Sequence, residues 1–210
     1  MNEDRRILKT KRNLKATMIG MLAEIPFEKI TVAELCRRGE TSRITFYAHY
    51  SDKYELADEL FSDYIQEAWE DYHVLQRENN PENVGMRGYE NLLECILRLI
   101  FHNYDFFSHV STGENPYLFS VFFRHIQKNV AEYMQRHTGL QCRYPTDDVA
   151  ALLCNGLLGV INGMIAKKLS RRRFMRRYGK CIRLCCTRRC FRQWIEERSK
   201  VDIPGIKMIE

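Results

Sequence analysis

The sequence predicts an all-α chain: a small N-terminal three-helix unit built around a helix-turn-helix, followed by a larger C-terminal helical unit. Three observations predict it. Apolar residues recur at three- and four-residue spacing along most of the chain, and no stretch alternates as a half-buried strand does. Near the N-terminus two short amphipathic segments are separated only by Gly39-Glu40-Thr41. With 210 residues, 45% of them hydrophobic and 29% charged, the chain is long enough to bury one small core and one larger one.

The first helix spans about residues 5–24, with Ile7, Leu8, Leu14, Met18, Met21 and Leu22 inward and Pro26 just past its end. Its opening turns carry Arg5, Arg6, Lys9, Lys11, Arg12 and Lys15, which can approach a phosphate backbone without reading sequence. Thr31 with Glu34 three residues on forms a capping box for a second helix that turns Val32, Leu35 and Cys36 inward and ends near Gly39. A third helix, wound from Ser42, puts Ile44, Ala48 and Phe46 or Tyr50 toward a core and projects Arg43, Thr45, Tyr47 and His49. That projecting arc suits the major groove. Arg43 can fork onto a guanine edge, Thr45 can meet a phosphate or a thymine methyl, and Tyr47 and His49 can donate to phosphates.

Residues 10–56, TKRNLKATMIGMLAEIPFEKITVAELCRRGETSRITFYAHYSDKYEL, closely resemble the N-terminal domain of the TetR family (TetR/AcrR-like) of bacterial transcriptional regulators. The likeness rests on the amphipathic first helix, on Phe27 and Ile30-Thr31-Val32 entering the second, and on Thr45-Phe46-Tyr47, His49-Tyr50 and Asp52-Lys53 ending the third. It implies a DNA-binding domain at residues 1–56 and a regulatory and dimerisation domain at 57–210. It implies operator contacts at Thr31, Arg43, Thr45, Tyr47, His49 and Lys53, to which Ser42 is added as a candidate. The chain departs from the family's usual Ala-Gly-Val turn, placing Gly39-Glu40-Thr41 there, with a polar Thr41 where a buried aliphatic is expected.

A fourth helix starts at Ser51 or Asp52 and runs through Leu56, Leu60, Phe61, Tyr64, Ile65 and Trp69 to about Gln76. After a polar loop at residues 78–83, helices follow at about 86–103, 105–110, 117–136 and 147–168. Tyr89, Phe101, Tyr104, Phe107, Phe119, Phe122 and Phe123 either line a ligand pocket between helices or fill the core. The resemblance implies a small-molecule inducer site in this region. Residues 149–166 are apolar enough to raise the question of a membrane span, but Asn155 and Asn162 would make it a poor one. Gly156, Gly159 and Gly163, with Val160, instead give a strip that another helix can approach closely, and the resemblance implies pairing of the last two long helices in a homodimer.

Charge is uneven: residues 1–56 hold 11 Lys+Arg against 8 Asp+Glu, residues 57–166 hold 7 against 15, and residues 167–200 hold 14 against 2. The last of these segments also carries Cys181, Cys185, Cys186 and Cys190. It reads as a second dimer helix with Tyr178 and Trp194 on its apolar face, as a poorly ordered basic tail with nonspecific affinity for nucleic acid or an anionic membrane, or as an atypical C-terminus. The Cys spacing lacks the paired form of a structural zinc site, so no metal is expected. No Gly-rich phosphate loop, His-Glu-x-x-His, nucleophile elbow or paired carboxylates occur, so no catalysis and no cofactor are expected. The N-terminus lacks a signal segment, which predicts a cytoplasmic protein. The composite expectation is a repressor that binds a palindromic double-stranded DNA operator as a homodimer and is released by a small-molecule or partner signal. The other class is a helical interaction protein or co-activator that retains the domain but acts through a protein partner.

Overall fold

A computed structural model describes residues 2–110, 113–136, 145–167 and 173, and every element in them is helical. Helices α1 (Asn2–Leu22), α2 (Val32–Arg38) and α3 (Arg43–Tyr47) form the N-terminal unit, with a 3-10 turn at Phe27–Lys29 between α1 and α2. Then come α4 (Lys53–Asn79), α5 (Gly85–His102), α6 (Tyr104–Phe107), α7 (Pro116–Arg136) and α8 (Thr146–Ala166). The helices expected up to residue 168 appear, most within a few residues of their predicted ends; α3 stops at Tyr47, short of the expected end at Asp52-Lys53, and the second dimer helix expected in the basic segment lies outside the described residues. Helix α4 runs unbroken across the expected boundary at residue 56, capped by Asp52, whose carboxylate accepts from the N–H groups of Tyr54 (2.8 Å) and Glu55 (2.9 Å).

Leu14, Met18, Met21 and Leu22 of α1 are buried against Leu35 and Phe46 in one core. Leu8 is a correction: expected inward, it is 66% exposed, because the helical repeat places it on the arc of Lys11, Arg12 and Lys15, beside Glu59 and Asp63, rather than on that of Leu14, Met18 and Met21. In the larger unit α4 packs on α5 and α7, and α7 on α8. An amide network closes the α4–α5 hairpin: Asn91 donates to Gln76 (2.6 Å) and Asn79 (2.8 Å), and buried Asn80 both accepts from the Val84 N–H (2.8 Å) and donates to the Val84 carbonyl (3.1 Å). Burying these side chains costs little because each is paired. No helix among the described residues is long and apolar enough to cross a membrane.

The N-terminal unit and the larger one share an aromatic seam. Phe27 of the 3-10 turn stacks on Tyr117 of α7 (5.5 Å, 5° between planes), and Tyr54 of α4 meets both rings edge-on. The Phe27 N–H donates to Asn115 Oδ1 (2.6 Å), while Asn115 Nδ2 donates to the His109 carbonyl (2.7 Å). The loop preceding α7 is thereby fastened to the turn that introduces α2.

Candidate nucleic-acid interface

Helix α2 is capped by Thr31, whose Oγ1 accepts from the Glu34 N–H at 3.2 Å. The reciprocal half of the expected capping box is not made. The Glu34 carboxylate turns to Arg37 (2.6 Å) and Arg38 (2.8 Å), and Arg38 reaches on to Glu24 (2.7 Å). Hydrogen bonds from Arg37 and Arg38 hold the Glu34 carboxyl at about 2, below the ordinary range. These pairs face solvent and serve to orient α2 more than to stabilise it.

The turn is held from α1. Gly39 closes α2 through its N–H to the Leu35 carbonyl (2.8 Å), and the Gly39 carbonyl accepts from both Asn13 Nδ2 and Thr41 Oγ1 (2.9 Å). A Cβ at Gly39 would stand 2.9 Å from the Leu35 carbonyl oxygen and 3.1 Å from Thr17 Oγ1, so glycine is needed there for close approach. The left-handed position is its neighbour, Glu40, at φ 46°. Half-buried Thr41 is accommodated because its hydroxyl has the Gly39 carbonyl as partner.

Helix α3 is five residues long and is set by its N-cap: Ser42 Oγ accepts from the Thr45 N–H (3.0 Å) and lies 2.8 Å from the Thr45 hydroxyl. Phe46 and Tyr50 face the core at 0% and 1% exposure. The expectation that Ile44 and Ala48 face inward is corrected: Ile44 is 85% exposed and Ala48 is exposed. Residues two apart on a helix stand about 200° from each other, so Ile44 cannot share an arc with Phe46, and the larger rings take the core. The outward arc is therefore Arg43, Ile44, Tyr47 and Ala48, with half-buried Thr45 and His49 at its edges. Among the described residues, no carboxylate pairs with the Arg43 guanidinium.

Some of the expected phosphate ligands are engaged elsewhere. Lys53 Nζ donates to the carbonyls of Phe27 (2.9 Å), Glu28 (3.0 Å) and Ile30 (2.9 Å), spending its three donors on the turn before α2. It also lies over the Phe27 ring at 4.7 Å. Burial lowers its pKa from the ordinary lysine value. Lys11 and Lys15 bind Glu59 (2.9 and 2.8 Å), Lys15 also binds Asp63, and the Lys11 ammonium stands 5.2 Å from the Tyr50 ring. These two lysines brace α1 against α4. Arg5, Arg6, Lys9, Arg12 and Lys29 remain exposed cations of this unit.

The pocket candidates pack against one another. Tyr89, Phe101, Phe107 and Phe122 are buried, while Tyr104, Phe119 and Phe123 are half-buried against the same core. Phe107 meets Phe122 at 4.8 Å and Tyr64 at 5.3 Å. A cleft of about 340 Å³ between α4 and α5 is lined instead by Glu67, Ala68, Asp71, Arg98, Leu99 and His102. On α8, Cys154, Leu157, Leu158 and Ile161 face the core, Val160 and Gly163 are half-buried, and Leu152, Asn155, Gly156 and Gly159 are exposed. Among the described residues, nothing lies within 4 Å of where a Cβ would stand at Gly156, Gly159 or Gly163. Tyr178 and Trp194, with the rest of the basic Cys-containing segment, lie outside the described residues.

Two features of this site escaped sequence reasoning. Ile44 looked like a core residue from its chemistry alone. Asn115 carried no local signal, since its role depends on Phe27 far away in the chain.

Compared by sequence, the chain matches no family model and no curated protein. Compared by structure, it is similar to a protein of Syntrophomonas wolfei assigned to the TetR family of transcriptional regulators, at a TM-score of 0.63 and 11% identity over 96% of this chain and 100% of that one. It is similar to a Clostridium perfringens protein assigned as a fatty acid metabolism regulator, at 0.58 and 13% identity over 90% and 100% of the two chains. A TetR transcriptional regulator of Streptococcus agalactiae matches at 0.54 and 20% identity over 87% and 98%. Identities this low speak to architecture, and they agree with the capped α2, the turn braced from α1 and the outward α3: the chain has the all-helical fold of the TetR-family transcriptional regulators.

Proposed function

We propose that this protein is a transcriptional regulator, a repressor, that binds a palindromic DNA operator as a homodimer. The observation that carries the reading is α3: a helix held by its own cap and by a buried Phe46 and Tyr50, with an outward arc whose Arg43 has no carboxylate partner among the described residues. Arg43 reads base edges, Thr31, Tyr47 and His49 position the duplex through phosphates, and Ser42 and Thr45 set the helix that presents them. The open face of α8 around Gly156 and Gly159 pairs with its symmetry mate, giving two reading helices for two half-sites. A small molecule or partner acting on the larger unit reaches the reader through the Phe27–Tyr117–Asn115 seam and releases the operator.

Selection of duplexes from a random library by the full chain, followed by fluorescence anisotropy at several salt concentrations, tests this. A palindromic consensus bound with an affinity that falls as salt rises is expected. Absence of any enriched sequence would sink the proposal. The co-activator reading draws support from Lys11, Lys15 and Lys53, whose ammonium groups are spent inside the protein. It predicts a dimer with no sequence-selective DNA affinity.

A further inference from the structure

The outward arc of α3 contains an apolar stripe that neither packing nor capping requires. Ile44, Tyr47 and Ala48 stand at i, i+3 and i+4, and all three are exposed. Ile44, at 85%, is more exposed than Tyr47 (57%) or the large exposed hydrophobics Leu8, Val74, Val84 and Leu152, and no ring or apolar partner among the described residues explains it. β-branched residues are also poor helix formers, so isoleucine brings a five-residue helix no local advantage.

The stripe is held firmly. The Ser42 cap and the buried Phe46 and Tyr50 fix the rotation of α3, and the branched Ile44 side chain has few rotamers. It adjoins the Arg43 guanidinium, which has no carboxylate partner among the described residues, in a unit whose exposed cations include Arg5, Arg6, Lys9, Arg12 and Lys29, so its partner is anionic. A protein partner of ordinary size offers about 800 Å² with an apolar centre, far wider than one short helix flanked by charge. The major groove, about 12 Å wide, admits a single helix and presents one apolar group to it, the thymine methyl.

We infer that Ile44 is a specificity-determining residue that packs on a thymine methyl in each half-site, beside the base contact of Arg43. The inference rests on the DNA-binding reading given above. It assigns the arc two kinds of readout: a polar one from Arg43 and an apolar one from Ile44, with Tyr47 and Ala48 closing the contact against water.

The experiment uses the full-length protein and the consensus duplex recovered by selection. Each thymine is replaced in turn by uracil, which removes only the methyl group and leaves pairing intact. Burying one methyl is worth about fourfold in affinity, so at least one uracil substitution per half-site should weaken wild-type binding by about that factor. Ile44→Ala should bind the thymine duplex more weakly and lose its sensitivity at that same position, while Ile44→Val keeps it. Because Ile44 is exposed, unchanged thermal melting of both variants checks that they fold. Uniform indifference of the wild type to uracil, or an Ile44→Ala variant as methyl-sensitive as wild type, overturns the inference while leaving DNA binding intact and points the stripe to a protein surface. If selection recovers no sequence at all, the DNA-binding reading falls and this inference falls with it.

Discussion

The backbone N–H of Phe27 donates to Oδ1 of Asn115 across 2.6 Å, joining two residues 88 positions apart and tying the turn before α2 to the loop before α7. Asn115 is 3% exposed, and its amide also donates to the His109 carbonyl, so both ends of the side chain are used. Asn115→Ala leaves a buried N–H unpaired. It should lower stability by about 1–3 kcal/mol in urea unfolding, and a loss under about 0.5 kcal/mol would show that water replaces the amide.

Lys53 and Arg43 should separate cleanly. Lys53 ties three carbonyls of the turn before α2, so Lys53→Ala should cost roughly 1–3 kcal/mol of stability and weaken binding to all duplexes alike. Arg43→Ala should change stability by no more than about 0.5 kcal/mol while weakening the preferred duplex by about 1–3 kcal/mol relative to a scrambled one. Paired melting and anisotropy measurements decide; equal losses on both duplexes for Arg43→Ala would contradict its base-reading role.

The turn offers a test of opposite signs at adjacent positions. Glu40 occupies the left-handed region at φ 46°, where glycine carries no Cβ penalty, so Glu40→Gly should stabilise by up to about 1 kcal/mol. Gly39→Ala brings a Cβ to 2.9 Å from a backbone oxygen and should destabilise by roughly 1–3 kcal/mol. Stabilisation by Gly39→Ala in thermal unfolding would mean that the turn relaxes away from α1.

The open face of α8 predicts a change in assembly without a change in fold. A Cβ at Gly159 meets nothing within 4 Å among the described residues, and Gly159→Gln raises helix propensity, so helical circular dichroism should be unchanged or higher. If this face pairs with its symmetry mate, sedimentation should shift from dimer to monomer and the palindromic duplex should be bound more weakly. A variant that sediments as the wild-type dimer would place the interface elsewhere.

What the sequence determined by itself is local. Apolar spacing along α4, α5, α7 and α8, the Thr31 cap and the break at Gly39 are each written within a few residues, so the all-helical class and the helix-turn-helix could be read directly. Tertiary structure alone decided which arc of α3 faces out. Helix α3 has fewer than two turns and apolar residues on opposite arcs, so the choice between Ile44 and Phe46 fell to the core cavity left by α1 and α2, which Phe46 fills. It likewise decided which cations are free. Lys11, Lys15 and Lys53 look like phosphate ligands in sequence, but a charge's availability depends on the partner opposite it, and Glu59, Asp63 and the carbonyls of the 3-10 turn stand at sequence distances that local pattern does not encode.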